Sequence, residues 1–179
     1  MIRDSILEEE AAIASERADA GSSIEAEILE KPIGSLPSLR DPIQLDRRTT
    51  LRAVIQRLNQ ERVGCVLIVE DGLLAGVFTE RDVLTKLVGT DIDVDRTAVE
   101  DLMTRDPECL RLDDSVAYAL NKMTIGGFRH IPLVDRHGRP AGVIAMRHIV
   151  EYLVDLFPRG VLNLPPSPNL AIARTREGA

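Results

Sequence analysis

Residues Gly76 to Leu84 read GVFTERDVL. An apolar run ends in Val77 and Phe78, meets Thr79 and then charge, and resumes with helical spacing at Val83, Leu84 and Leu87. The pattern predicts a strand running straight into a helix, with a hydroxyl at the helix start and a carboxylate, Asp82, three residues on. Taken alone, Thr-x-x-Asp is a capping signal that satisfies unpaired amides of a first helical turn. Its weight here comes from a second copy of the same arrangement further along the chain.

Working outward, Leu73 to Phe78 reads as the return strand of a hairpin. Its partner is the apolar run Cys65 to Val69, and an Asp71-Gly72 turn joins them. The helix opened by Thr79 is expected to close near Gly89. Before the hairpin, Thr49-Thr50 precedes Leu51, Val54, Ile55 and Leu58, an amphipathic helix with a hydroxyl cap. A short strand around Ile43 to Leu45 leads it, and Pro32, Pro37 and Pro42 punctuate the approach. The order then repeats at an offset of about 65 residues. Val99 to Thr104 leads to Asp106-Pro107, which matches Asp41-Pro42. Ser115 caps a helix carrying Val116, Ala119, Leu120 and Met123. His130 to Val134 matches Cys65 to Val69, and Ala141 to Ile144 matches Ala75 to Phe78. Neither copy alone buries much core, so the two are expected to pack on each other with quasi-two-fold symmetry. The division expected is an acidic, partly helical arm over 1–30, repeats over 31–90 and 91–157, and a Pro-rich tail over 158–179.

Composition narrows the function classes. The chain has 179 residues, 44% hydrophobic and 28% charged, the profile of a soluble globular protein. A net charge of −7 opposes a phosphate-backbone partner, and 3% aromatics with no Trp leave few stacking platforms for single-stranded nucleic acid. No run has the length of a signal-peptide core or a membrane span, so a cytoplasmic location without membrane contact is the default expectation. Cys65 and Cys109 have neither the number nor the spacing of a disulfide framework or zinc site, and read as buried small hydrophobes. His130, His137 and His148 show no metal-ligand spacing, and the last two read as surface residues. No Gly-rich phosphate loop and no activated nucleophile is visible, so neither catalytic residues nor a catalytic cofactor are expected.

The repeat resembles a tandem pair of CBS (cystathionine β-synthase) domains, a Bateman module, over about residues 33 to 157. The match is carried by GVFTERDVL, by Asp101-Leu102-Met103-Thr104, and by Phe128-Arg129-His130-Ile131-Pro132 followed by Leu133-Val134-Asp135. The resemblance implies an α+β fold of two β-α-β-β-α repeats joined through their sheets. It also implies an adenine nucleotide (AMP, ADP or ATP), or less often S-adenosylmethionine, bound between the repeats. Regulation of an effector protein and pairing into flat homodimers are implied as well. Carried over residue by residue, it places Thr79 and Asp82 at phosphate or ribose, Phe128, Arg129 and His130 in the same cleft, Cys109 on the facing strand and Val77 in one wall.

Elementary chemistry fits those assignments. An ionised Asp82 is acceptor-only and can take hydrogen bonds from both hydroxyls of a ribose. Arg129 is always charged and fork-shaped, suited to phosphate. Successive strand residues point to opposite faces, so Arg129 and His130 meet one ligand only if the strand begins there, as Gly126-Gly127 suggests. The second repeat departs from the motif, with Ala145-Met146-Arg147-His148 where the first has Thr79-Glu80-Arg81-Asp82. Its cleft lacks both hydroxyl and carboxylate and is expected to be weak or empty, giving one adenylate per chain. The flanks are expected to be too short for an effector domain, so output would pass through an unidentified effector protein or self-association. Two other readings are a ligand-free assembly protein and, last, a phosphohydrolase using His130 and Asp82.

Overall fold

Each hydroxyl that precedes an apolar periodicity does cap a helix in the computed structural model, which describes residues 30–156. Thr50 accepts the Ala53 N–H at 3.4 Å at the start of α1 (Leu51–Glu61), and Ser115 accepts the Tyr118 N–H at 3.2 Å at the start of α3 (Val116–Gly126). β1 (Gln44–Asp46) precedes α1, and between the two helices lie β2 (Cys65–Glu70), β3 (Leu73–Thr79), the single helical turn α2 (Glu80–Asp82) and β4 (Thr104–Arg105). After α3 come β5 (His130–Val134), β6 (Pro140–Ala145) and α4 (Met146–Leu156). The expected arm over 1–30 and tail over 158–179 lie outside the described residues, apart from Glu30. Helices and sheets together make an α+β fold.

The first sheet runs β1-β2-β3-β4, with β1 parallel to β2 and the other pairs antiparallel. The second is the β5-β6 hairpin, and the leading strand expected before it is reduced to one parallel bridge, Leu110 to Leu133. Period-two alternation sorts each hairpin into two faces. Val66, Ile68 and Phe78 join Leu51, Val54 and Leu58 of α1 in the core of the first repeat. Leu67 and Val77, paired across β2 and β3, lie with Cys65 on the opposite face, where Val143 of β6 packs against them. That face is the contact between the repeats. In the second repeat Ile131, Leu133 and Ile144 close the other core with Val116, Ala119 and Met123.

The sequence division and the packing division do not coincide at the start of each repeat. Ile33 and Leu36 are buried in the core of the second repeat, whereas Ile92, Val94 and Val99 pack into the first. The exchange satisfies helix ends. The Val116 N–H of α3 donates to Lys31 O, and the Leu51 and Arg52 N–H groups of α1 donate to Thr97 O and Val94 O. Each crossing segment thus takes up first-turn amides that have no acceptor within their own helix.

The helix expected from Thr79 to Gly89 is only one α turn, continued by a π-helical turn over Val83–Leu87. Val83 and Leu87 still reach the first core, but Leu84 is 68% exposed. The wider turn, closed by the Val88 N–H on Val83 O, turns Leu84 outward.

Candidate functional site

The strand-to-helix junction fixes the first half of the site. Val77 and Thr79 alternate onto the inter-repeat face of β3, and the chain then turns into α2. A reciprocal capping box closes the junction, because Asp82 Oδ2 accepts the Thr79 N–H at 2.9 Å while Thr79 Oγ1 accepts the Asp82 N–H at 3.3 Å. The Thr79 hydroxyl also lies 2.6 Å from Oδ2 and donates to it. On the other oxygen, Lys86 Nζ pairs with Oδ1 at 2.6 Å and also donates to Leu102 O at 2.7 Å. Asp82, 9% exposed, is therefore a charged acceptor fixed by both backbone and cation.

The second half comes from the end of α3. Gly127 ends that helix at φ 67°, a left-handed conformation that glycine adopts without strain, and β5 begins three residues later at His130. Arg129 thus precedes the strand and His130 opens it, which lets both side chains face one hollow. Arg81 ties the halves together by donating to Gly127 O at 2.9 Å.

These residues line a cleft of about 340 Å³ between the repeats. Val77, Thr79, Asp82, Phe128, Arg129 and His130 all border it, so Asp82 of one repeat and Arg129 of the other share one hollow. Cys109 does not border it. Its thiol turns away to donate to Pro107 O at 3.1 Å, and the neighbouring Glu108 takes the place on the cleft wall. Glu80, Arg81 and Asp106 also border the cleft and carry no role in the sequence reading. Arg81 could have been found, since it lies inside the capping motif. Asp106 arrives through β4, whose pairing with β3 no local pattern announces.

The electrostatics are uneven. Arg129 makes no ion pair among the described residues, whereas Glu108 is paired with Lys122. Burial, then Arg129, Arg147, His148 and Arg81, push the His130 imidazole from 6.5 down to about 4, so it is neutral at physiological pH. Burial likewise drives the Cys65 thiol up to about 12 and raises that of Cys109, so both remain thiols. His148, read from sequence as a surface residue, is buried at 5% exposure because it fills the position of Asp82 in the second repeat. It borders a second cleft of about 480 Å³.

Comparison with known proteins accounts for this architecture. The family model for the CBS domain matches residues 31–89 and again 99–155. The chain belongs to the CBS domain family. The CBS domain-containing protein CBSCBSPB5 of Arabidopsis thaliana is 34% identical over 112 residues, 62% of this chain and 20% of that protein. This CBS pair spans about a fifth of the length of the curated relatives it matches first. Among solved structures, the CBS domain pair of protein MJ0100 in complex with 5′-methylthioadenosine and S-adenosyl-L-methionine is similar at TM-score 0.61 and 21% identity, over 69% of this chain and 99% of that one. CBSX2 in complex with AMP is similar at TM-score 0.60 and 22% identity, over 70% and 98%. These likenesses establish the shared CBS-pair fold. No helix among the described residues is long and apolar enough to cross a membrane.

Proposed function

We propose that this CBS pair is a non-catalytic regulatory module that binds an adenine nucleotide in its first cleft and reports that occupancy to a partner. The observation that carries the reading is the pairing of unlike chemistry across the repeats: Asp82 for a ribose diol on one wall, Arg129 for a phosphate on the other. Val77, Phe128 and Pro132 offer apolar surface to a base between them. Because Glu80, Asp106 and Glu108 border the same cleft as Arg129, the charge balance favours a short phosphate tail, AMP over ATP. The AMP bound by CBSX2 supports the ligand class.

The same carboxylates favour a second reading, a cleft for S-adenosylmethionine, whose tail is cationic and which occupies the MJ0100 pair. A third, an assembly protein without ligand, draws on the internal satisfaction of Asp82 by Thr79 and Lys86. Thermal melting with AMP, ADP, ATP and S-adenosylmethionine separates the three, since a compound that binds only the folded state raises the melting temperature. The account expects the largest rise with AMP. A rise with S-adenosylmethionine alone selects the second reading, and no rise with any of them selects the third.

The module is further proposed to act as a homodimer. Leu84, Val88 and Ile125 are apolar and more than half exposed, Leu84 and Ile125 on helical segments and Val88 just past the end of one. Sedimentation should give a dimer that Ile125→Glu weakens; a monomer at all concentrations contradicts it.

A further inference from the structure

We propose that the second cleft is a binding site for a phosphate-type anion, held by Arg40, Arg62 and Arg147 together with the imidazole N–H of His148. The two clefts share a backbone plan but not a chemistry. In the first, a carboxylate accepts the N–H of the last strand residue, Thr79, at 2.9 Å. In the second, His148 does the same for Ala145, through Nδ1 at 3.2 Å. The capping role survives the replacement, and the ribose-gripping anion does not.

The consequence lies at the other ring nitrogen. A neutral imidazole has one acceptor and one donor, so Nδ1 holding the buried Ala145 N–H puts the proton on Nε2. Arg147 Nε, a permanent donor, lies 3.3 Å from that same Nε2. Two N–H groups then face each other with no acceptor between them. The opposite tautomer only moves the conflict to Ala145, whose amide is buried and costs more to leave unpaired. Protonating the ring leaves both conflicts in place, and burial and Arg147, with Arg40, outweigh the opposing pull of Glu151 and disfavour it. An anionic oxygen placed against both donors resolves the arrangement, and a phosphate supplies several.

The cleft's charge agrees. Arg40, Arg62 and Arg147 border it and make no ion pair among the described residues. Glu61 is already engaged by Arg57 at 3.1 Å, which leaves Asp41 and Glu151 as the carboxylates opposing three guanidinium groups. Guanidinium forks match phosphate oxygens in pairs. With His148 at the cap position, the buried carboxylate that would grip a nucleoside diol in the first cleft has no counterpart here.

Inorganic pyrophosphate is the probe, titrated calorimetrically into the full chain and into Arg147→Gln, Arg40→Gln and Arg129→Gln. The expected result is binding to the wild type and a loss of about tenfold or more in each of the Arg147 and Arg40 variants, larger than any loss in Arg129→Gln. Since exposed arginines are replaced, folding of each variant is verified by its unchanged melt. A second readout is the His148 Nε2–H proton resonance in the wild type, which should shift downfield as pyrophosphate is added. Loss confined to Arg129→Gln would place the anion in the first cleft and overturn the proposal, as would absence of binding at millimolar pyrophosphate or a His148 signal that does not move.

Discussion

Lys86 Nζ lies 2.6 Å from Asp82 Oδ1, so the carboxylate offered by the first cleft is already held by a cation one turn further along its own helix. Thr79 occupies the other oxygen through both its N–H and its hydroxyl. A carboxylate offers about four acceptor positions, three of which are therefore in use. A ribose diol must share or displace one of these partners, and Lys86 is the competitor that substitution can remove.

Lys86→Met should accordingly tighten adenosine binding severalfold while costing the fold about 2 kcal/mol, the sum of a largely buried ion pair and a lost hydrogen bond to Leu102. Adenosine, which lacks phosphate, isolates the diol. Calorimetry and a denaturant melt on the same variant measure the two effects, and weaker adenosine binding would mean that Lys86 supports the site instead of competing for it.

The depressed His130 gives a pH signature. Its folded value is about 4 against 6.5 in the unfolded chain, so the unfolded state binds more protons in that window. Stability should fall as pH drops from about 6.5 to about 4 and be insensitive to this group above it. An anion beside the imidazole raises its proton affinity, so AMP should bind more tightly as pH falls from 7 toward 5, with proton uptake visible as a buffer-dependent heat. His130→Gln should flatten both trends; a variant with the wild-type pH profile would assign them elsewhere.

Gly64 is the floor on which that imidazole rests. A Cβ there would come within 2.7 Å of both Cε1 and Nε2 of His130, so Gly64→Ala must displace the ring. Affinity for AMP should drop about tenfold, about 1.4 kcal/mol, with a smaller change in stability. Paired titrations and melts distinguish this from general unfolding.

Gly76 tests the strand pairing that carries Asp106 to the cleft. A Cβ would meet Met103 Sδ at 2.6 Å and Thr104 O at 2.8 Å, and the backbone oxygen cannot step aside without parting β4 from β3. Gly76→Ala should cost about 1–3 kcal/mol in a denaturant melt.

How far these features could be read beforehand follows from the range of the interactions behind them. The helix caps, the hairpins and the junction at Thr79 rest on contacts within a few residues, and the sequence pattern contains them. Arg129 and His130 could be assigned to one hollow because Gly126-Gly127 marks where the strand starts. Lys86 could not, since a lysine four residues past an aspartate reads as a solvated helix pair, and here the π-helical turn and the Leu102 carbonyl bring it inward. The crossing of Ile33 and Val99 into opposite cores was equally hidden, because any apolar core satisfies a local hydrophobic pattern. His148 looked like a surface histidine because the amide it caps belongs to the preceding strand.

Calorimetric titration of AMP into the wild type and Asp82→Ala bears most directly on the central claim. The account predicts one AMP per chain and a loss of roughly ten- to hundredfold in the variant, the worth of hydrogen bonds to a charged acceptor. Two AMP per chain, or undiminished binding in Asp82→Ala, would contradict it.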